Sequence, residues 1–351
     1  MSKYWSDMVK RTDPYKPGEQ LNNPRIIKLN TNENPYEPSP SVKKAIVDEM
    51  DSRLQLYPSP TADGLRSTIA GALNVSMEEV FVGNGSDEVL AFSFMAFFQP
   101  GKTIRFPSIT YSFYPVYSKL FAIPYEQVAL NDDFTIDGEA LFGSEGGVIL
   151  PNPNAPTSIY EDLSSIERII ENNPDTVVII DEAYIDFAGP SAVELIHKYD
   201  NLLVIQTTSK SRSLAGMRVG YAIGNRNLIE ALTRIKDSFN SYTVDRLAMV
   251  AAKAAFEDKA HLQETVGKIK ATRDWTVHEL EQLRFDVLPS SANFLFATHQ
   301  SVKAVDLYDY LKKEGILVRH FNSPRIDNYL RISIGTDEQM RVLVEKIGKY
   351  V

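Results

Sequence analysis

From residue 80 to residue 210 short apolar runs alternate with stretches of helical spacing, and this rhythm constrains the fold more than any other feature. Residues 80–82 lead to a helix over 86–98, and 103–106 to one over 111–120. Residues 148–150 precede a helix over 162–171, 176–180 precede a short one over 191–198, and 202–205 run almost directly to Lys210. Each crossover must return over a face of the sheet, so the pattern predicts an α/β fold with a mainly parallel sheet sandwiched by helices. Residues 219–223 add a strand whose direction stays open. Earlier helices are expected over 41–54 and 61–73, separated by Leu56-Tyr57-Pro58-Ser59-Pro60. After residue 245 the rhythm changes to a long helical stretch over 246–283, then strands and helices of α+β character. A chain of 351 residues suggests about two domains. The expected organisation is an N-terminal arm (1–40) packing on the small domain and a dimer partner, a large domain (41–245), and a small C-terminal domain (246–351).

Composition excludes several function classes. The formal charge of −9 argues against nucleic-acid or anionic-membrane partners, which want a basic field. Any phosphate or carboxylate must be held by a few local arginines. With no cysteine there is no disulfide and no thiolate nucleophile or ligand. The five histidines lack the paired spacing of a zinc helix, so no metal is expected. The run over 89–98 falls short of the ~20 residues that span a bilayer. A cytoplasmic protein acting on small molecules is the expectation.

In such sheets ligands bind at the carboxyl ends of the strands, and several reactive residues fall there. Lys210 lies just past the run 202–205, between Ser209 and Ser211, with Arg218 downstream. A lysine there can trap a carbonyl as a Schiff base once desolvated; alone, it reads first as a solvated loop residue. Asp181 closes the run 176–180, where its carboxylate could hold a heteroaromatic nitrogen protonated or merely cap the strand. Tyr184 is three residues on. Gly83-Asn84-Gly85-Ser86-Asp87-Glu88 joins a strand to a helix and offers free N–H groups to an anion, although Ser86 as an ordinary N-cap explains it as well. Asn154 sits in a proline-rich turn after 148–150, and Tyr111 follows 103–106. Arg331 interrupts the apolar run 329–334 and needs an anionic partner, structural or bound, because an unpaired buried charge is costly. Arg319 ends the run 316–318.

Taken in order, these pieces resemble the fold-type-I aminotransferases dependent on pyridoxal phosphate, and among them the histidinol-phosphate aminotransferase family. The resemblance covers nearly the whole chain: Asn32-Glu33-Asn34-Pro35, Tyr57-Pro58, the glycine turn at 83–88, Tyr111, Pro153 to Thr157, Asp181-Glu182-Ala183-Tyr184, Ser209-Lys210, Ala215-Gly216-Met217-Arg218, Asn293-Phe294 and Leu330-Arg331-Ile332-Ser333. It implies that Lys210 carries the cofactor, pyridoxal 5'-phosphate, and moves the proton. Asp181 pairs with the ring nitrogen, Tyr184 and Asn154 with the phenolic oxygen, and Tyr111 stacks on the ring. Gly85, Ser86, Asp87, Ser209 and Arg218 form the phosphate site, joined by Tyr57 from the other subunit of a homodimer. Arg331, Arg319, Tyr15 and Asn32 bind substrate. The implied reaction is ping-pong transfer of an amino group between histidinol phosphate and 2-oxoglutarate, in histidine biosynthesis.

Two departures stand out. The family's Asn-Asn-Pro-Thr-Gly appears as Asn154-Ala155-Pro156-Thr157-Ser158, and Ser211-Arg212-Ser213 is unusually polar. Alternatives are an aromatic or other amino acid aminotransferase, a phosphothreonine-type decarboxylase of the same fold, and a non-catalytic cofactor-binding protein. A nicotinamide dehydrogenase is disfavoured, since Glu88 stands where the fingerprint needs its third glycine.

Overall fold

The structure, a computed structural model, describes every residue except 1, 16, 17, 20–22 and 24, so part of the expected arm lies outside the described residues. Helix α1 (Asp7–Arg11) and strand β1 (Ile27–Lys28) precede α2 (Pro40–Glu49) and α3 (Asp63–Leu73). Then follow β2 (Val80–Asn84), α4 (Gly85–Phe97), β3 (Ile104–Pro107), α5 (Phe113–Leu120), β4 (Tyr125–Val128), β5 (Val148–Pro151), α6 (Leu163–Glu171), β6 (Val178–Asp181), β7 (Leu202–Thr207) and β8 (Val219–Gly224). The seven strands among these build one sheet in the order β2-β8-β7-β6-β5-β3-β4. Strand β8 runs antiparallel to β2 and β7, and the other pairings are parallel.

The middle strands are apolar on both faces because both faces are covered: every residue of β5, β6 and β7 is buried. Helix α6 shows how the covering works. Asp162 caps its first turn by accepting from the Ser165 N–H, and Ile166, Ile169 and Ile170 turn one apolar stripe inward. The helix expected over 191–198 shrinks to a single 3-10 turn, Ala192–Leu195. Its opening residues are held by Glu182, which accepts from the Ser191 hydroxyl and the Ala192 N–H.

Helix α7 (Arg226–Phe239) is followed by α8 (Arg246–Glu257) and α9 (Lys259–Gln282), where one continuous helix was expected. Asp258 breaks it: its carboxylate accepts from the His261 N–H and the Ser39 hydroxyl, starting a new helix. Helix α8 packs on α2 and α3, and its Ala248, Ala252 and Phe256 share a core with the large sheet. The remaining elements are β9 (Phe285–Val287), β10 (Phe294–His299), α10 (Ala304–Lys313), β11 (Ile316–Leu317), β12 (Arg319–His320), β13 (Leu330–Ser333) and α11 (Asp337–Gly348). A four-stranded antiparallel sheet, β12-β13-β10-β9, carries a second core built on Leu295, Ile332, Leu311 and Leu343. Strand β1 pairs in parallel with β11, and the next residue, Leu29, is buried in that core. The N-terminal segment therefore brings residues 30–34 across to the carboxyl edge of the large sheet.

Candidate active site

Strands β2, β3, β5, β6 and β7 run parallel, so their carboxyl ends meet on one edge. There a cavity of about 360 Å³ is walled by residues that include Asp181, Tyr184, Ser209, Lys210, Ser86, Asp87, Tyr111 and Arg218. Asp181 is the last residue of β6; Lys210 stands three residues beyond the end of the adjacent β7. The two groups that the sequence places at neighbouring strand ends thus face the same space.

Lys210 is half-buried. Its Nζ donates to the Thr31 carbonyl at 3.3 Å and lies 5.8 Å from the centre of the Tyr184 ring. The Tyr184 hydroxyl accepts from the Asn32 amide at 2.9 Å, and its ring meets Phe294 edge-on. Asn32 is itself pinned, its backbone N–H donating to Ser333 and its side-chain oxygen accepting from the same hydroxyl. Two residues of the N-terminal segment therefore fix the lysine and the tyrosine.

Asp181 is buried, and desolvation lifts its pKa to about 6 against the opposing pull of the Tyr114 hydroxyl, the Ala183 N–H and the Lys210 cation. Tyr114 donates to Oδ2 at 3.0 Å. Oδ1 is buried and has no partner of ordinary hydrogen-bond geometry, which leaves an anionic acceptor open to whatever enters the cavity.

The start of α4 forms the second pole. Gly85 holds φ +79°, and a Cβ there would sit 2.6 Å from an Arg218 terminal nitrogen. Across it, a Cβ on Gly220 would collide with the Gly85 carbonyl carbon and the Ser86 nitrogen. Only glycine at both places lets β8, the helix start and the guanidinium converge. Arg218 pairs with Asp87 at 3.1 Å, and the Tyr111 hydroxyl donates to the same carboxylate at 2.7 Å. Helix N–H groups, an arginine and the Ser209 hydroxyl make this pole an anion cradle.

Other expected residues fall elsewhere. Asn154 does not reach the cavity: its amide donates to the Ile109 carbonyl and to Thr157, and its oxygen accepts from Thr110. Ala155 stands on the wall in its place, so the expected contact from Asn154 is withdrawn. Arg331 lies off the cavity wall, donating to the Asn30 carbonyl at 2.8 Å, with Nε buried and unpartnered. Burial lowers its pKa, and the ionisable groups acting on it are Tyr184, Arg319, Tyr15 and Tyr111. Tyr15 stacks on Phe113 with ring centres 4.3 Å apart. Tyr57 is 78% exposed, not among the residues of the cavity wall, and stacked on Tyr242. Sequence reasoning missed Tyr114, Thr31 and Glu33. The first bonds Asp181, the second Lys210, and the third lines the cavity while pairing with Lys28.

The family model for aminotransferase class I and II matches residues 24–347. A histidinol-phosphate aminotransferase of Oceanobacillus iheyensis is 60% identical over 351 residues, covering 100% of this chain and 99% of that protein. One from Clostridium acetobutylicum is 55% identical, with 100% of both chains covered. Among solved structures, histidinol-phosphate aminotransferase from Sinorhizobium meliloti in complex with pyridoxal-5'-phosphate superimposes with a TM-score of 0.89 at 23% identity, covering 100% and 99% of the two chains. Aspartate aminotransferase from Thermus thermophilus with maleate gives 0.83 at 18%, with 100% of each chain covered. At those identities the two structures speak to the fold alone.

Proposed function

The chain belongs to the class I and II aminotransferases and, within them, to the histidinol-phosphate aminotransferases, and from that premise we propose that it exchanges an amino group between histidinol phosphate and 2-oxoglutarate. The observation that carries this reading is the pairing of Asp181 and Lys210 on neighbouring strand ends around one cavity.

Pyridoxal 5'-phosphate fits the residues present. The unpartnered Oδ1 of Asp181 suits a protonated ring nitrogen, and the glycine-lined helix start beside Arg218 suits a phosphate. Tyr184 would meet the phenolic oxygen, Tyr111 the ring face, and Gly85, Ser86, Ser209 and Arg218 the phosphate. Bound there, the coenzyme supplies an electron sink for the bond broken at the substrate carbon. Lys210 would anchor it covalently. Freed from that bond, its Nζ would take the proton from the substrate carbon as a positioned general base and, as the conjugate acid, deliver it to the coenzyme carbon on the far side of the shared nitrogen. Asp181 stays anionic beside a cation despite its burial. Arg331, with Arg319, holds the anionic end of the substrate: a phosphate in one half-reaction, a carboxylate in the other. Tyr15 and Asn32 border that end.

The reading extends to a cytoplasmic homodimer. Leu54, Leu56, Tyr57 and Phe239 are exposed apolar side chains that a second copy would cover, and Tyr57 would then serve the neighbouring phosphate site. Among the described residues no helix is long and apolar enough to cross a membrane.

The test is a single-turnover panel in which histidinol phosphate, phenylalanine and phosphothreonine are each mixed with coenzyme-loaded protein. Histidinol phosphate should discharge the visible coenzyme band fastest, and 2-oxoglutarate should restore it. Faster turnover of phenylalanine, or carbon dioxide release from phosphothreonine, would replace this assignment with an aromatic aminotransferase or a decarboxylase. Borohydride reduction followed by peptide mapping should place the coenzyme on Lys210; a label on another lysine would overturn the mechanism.

A further inference from the structure

Tyr114 is not among the residues that line the cavity, yet it bonds one that is. It sits in the first turn of α5, fully buried. Its ring is clamped by Phe106, with centres 5.8 Å apart and planes at 68°, and by Tyr111, at 5.7 Å and 85°. So held, its hydroxyl has, among the described residues, one hydrogen-bond partner, Oδ2 of Asp181 at 3.0 Å. The hydroxyl must be the donor, because burial and the adjacent carboxylate raise the pKa of Tyr114 far above the ordinary phenol value. Occupying Oδ2 settles the rotation of the carboxylate and leaves Oδ1 as the atom available to the cavity.

We propose that Tyr114 is a positioning residue for the coenzyme: its hydroxyl orients Asp181 and stabilises the carboxylate's charge, and so sets how tightly the ring nitrogen is bound and kept protonated. This rests on the reading of the site as one for pyridoxal phosphate. The groups facing Asp181 from neighbouring elements support it. Lys210, from the loop after β7, favours the charge, whereas Asp87 on α4 and burial oppose it. Glu182, the next residue, takes its bonds from Ser191, Ala192 and Gln206, and so adds no donor to Asp181. Tyr114 is the foremost group holding the carboxylate anionic in a site that otherwise favours its proton.

Tyr114→Phe removes the hydroxyl and keeps the packed ring. Coenzyme affinity of the apoprotein should fall about tenfold or more, the usual scale for a hydrogen bond to a charged group. The acid limb of the affinity–pH curve should move to higher pH, because Asp181 now protonates more readily. In apoprotein without coenzyme, the fall of the melting temperature with rising pH should begin where it does in the wild type but continue to a higher pH before levelling off, because only the folded-state pKa of Asp181 is raised further. A purely structural role would lower affinity uniformly with pH and would add to the effect of Asp181→Asn. The inference predicts instead that Tyr114→Phe changes affinity little once Asp181 is already Asn. If the wild type binds the coenzyme at Lys210 but Tyr114→Phe leaves affinity and both pH profiles unchanged, the inference fails and the family reading stands. Additive loss in the double variant overturns it equally. A wild type that does not retain the coenzyme overturns both.

Discussion

Lys210 carries the sharpest single-residue prediction. Its amine is held against the Thr31 carbonyl and beneath Tyr184. Replacing it with alanine removes both the anchor and the proton carrier, so kcat should drop by about 10³-fold or more. The folded yield should be unchanged, since a half-buried lysine contributes little to the core. Glu182 gives a pH prediction of a different kind. Desolvation raises its pKa from the ordinary 4.5 to about 7, even though Ser191, the Ala192 N–H and Gln206 all donate to it. Between those values the folded chain keeps a proton that the unfolded chain has released. Stability therefore declines as pH climbs from about 4.5 to about 7 and levels off above, by on the order of 3 kcal/mol for this group. Asp181, also raised, adds to the same slope in apoprotein. Chemical denaturation of apoprotein at several pH values should show the decline, and Glu182→Gln should flatten it.

At the scale of elements, the site depends on how closely β8 approaches the start of α4. Gly220 has no room for a Cβ against the Gly85 carbonyl carbon and the Ser86 nitrogen. Gly220→Ala must push strand and helix apart, and overpacking of this kind typically costs about 1–3 kcal/mol. The same displacement opens the anion cradle, so phosphate-bearing coenzyme should bind at least about tenfold more weakly while melting falls by several degrees. Equal affinity in this variant would show that the helix start is not part of the phosphate site. The same scale explains what could be read from residues alone. Strands β6 and β7 are uninterrupted apolar runs ending at a charged or polar residue, so Asp181 and Lys210 could be placed at one edge before any coordinates. The break at Asp258 was hidden because neither proline nor glycine marks it; an aspartate caps the new helix through contacts with Ser39, far away in sequence. Nothing local in the sequence sets Tyr114 apart from a core aromatic, since its partner lies 67 residues further on. Asn154 misled because a polar residue in a turn looks free, whereas tertiary contacts to Ile109, Thr110 and Thr157 consume its whole side chain.

For the whole molecule, the question is how the cavity is completed. The end of α2, the turn at residues 52–57 and the end of α7 expose Val47, Met50, Leu54, Leu56 and Phe239 together with Tyr57. A contiguous patch of exposed apolar side chains usually marks an interface. Tyr57 projects from it, stacked on Tyr242, and the neighbouring backbone is tied down: Arg246 donates to the Tyr57 carbonyl and pairs with Glu49, and Lys236 donates to the Pro60 carbonyl. The segment is thus braced from behind and apolar in front, as suits a surface that docks rigidly. Leu56, 59% exposed, is the place to test it. Changing an exposed leucine to glutamate costs the isolated chain little, within about 0.5 kcal/mol, but buries an unpaired charge in any assembled dimer. Leu56→Glu should therefore sediment as a monomer under conditions where the wild type is a dimer, with its melting curve in the dilute monomeric range unaltered. Coenzyme affinity should fall with dissociation, and Tyr57→Phe in the intact dimer should reproduce part of that loss. A wild type that is monomeric yet binds the coenzyme as tightly as it does at high protein concentration would mean that one chain completes the site by itself.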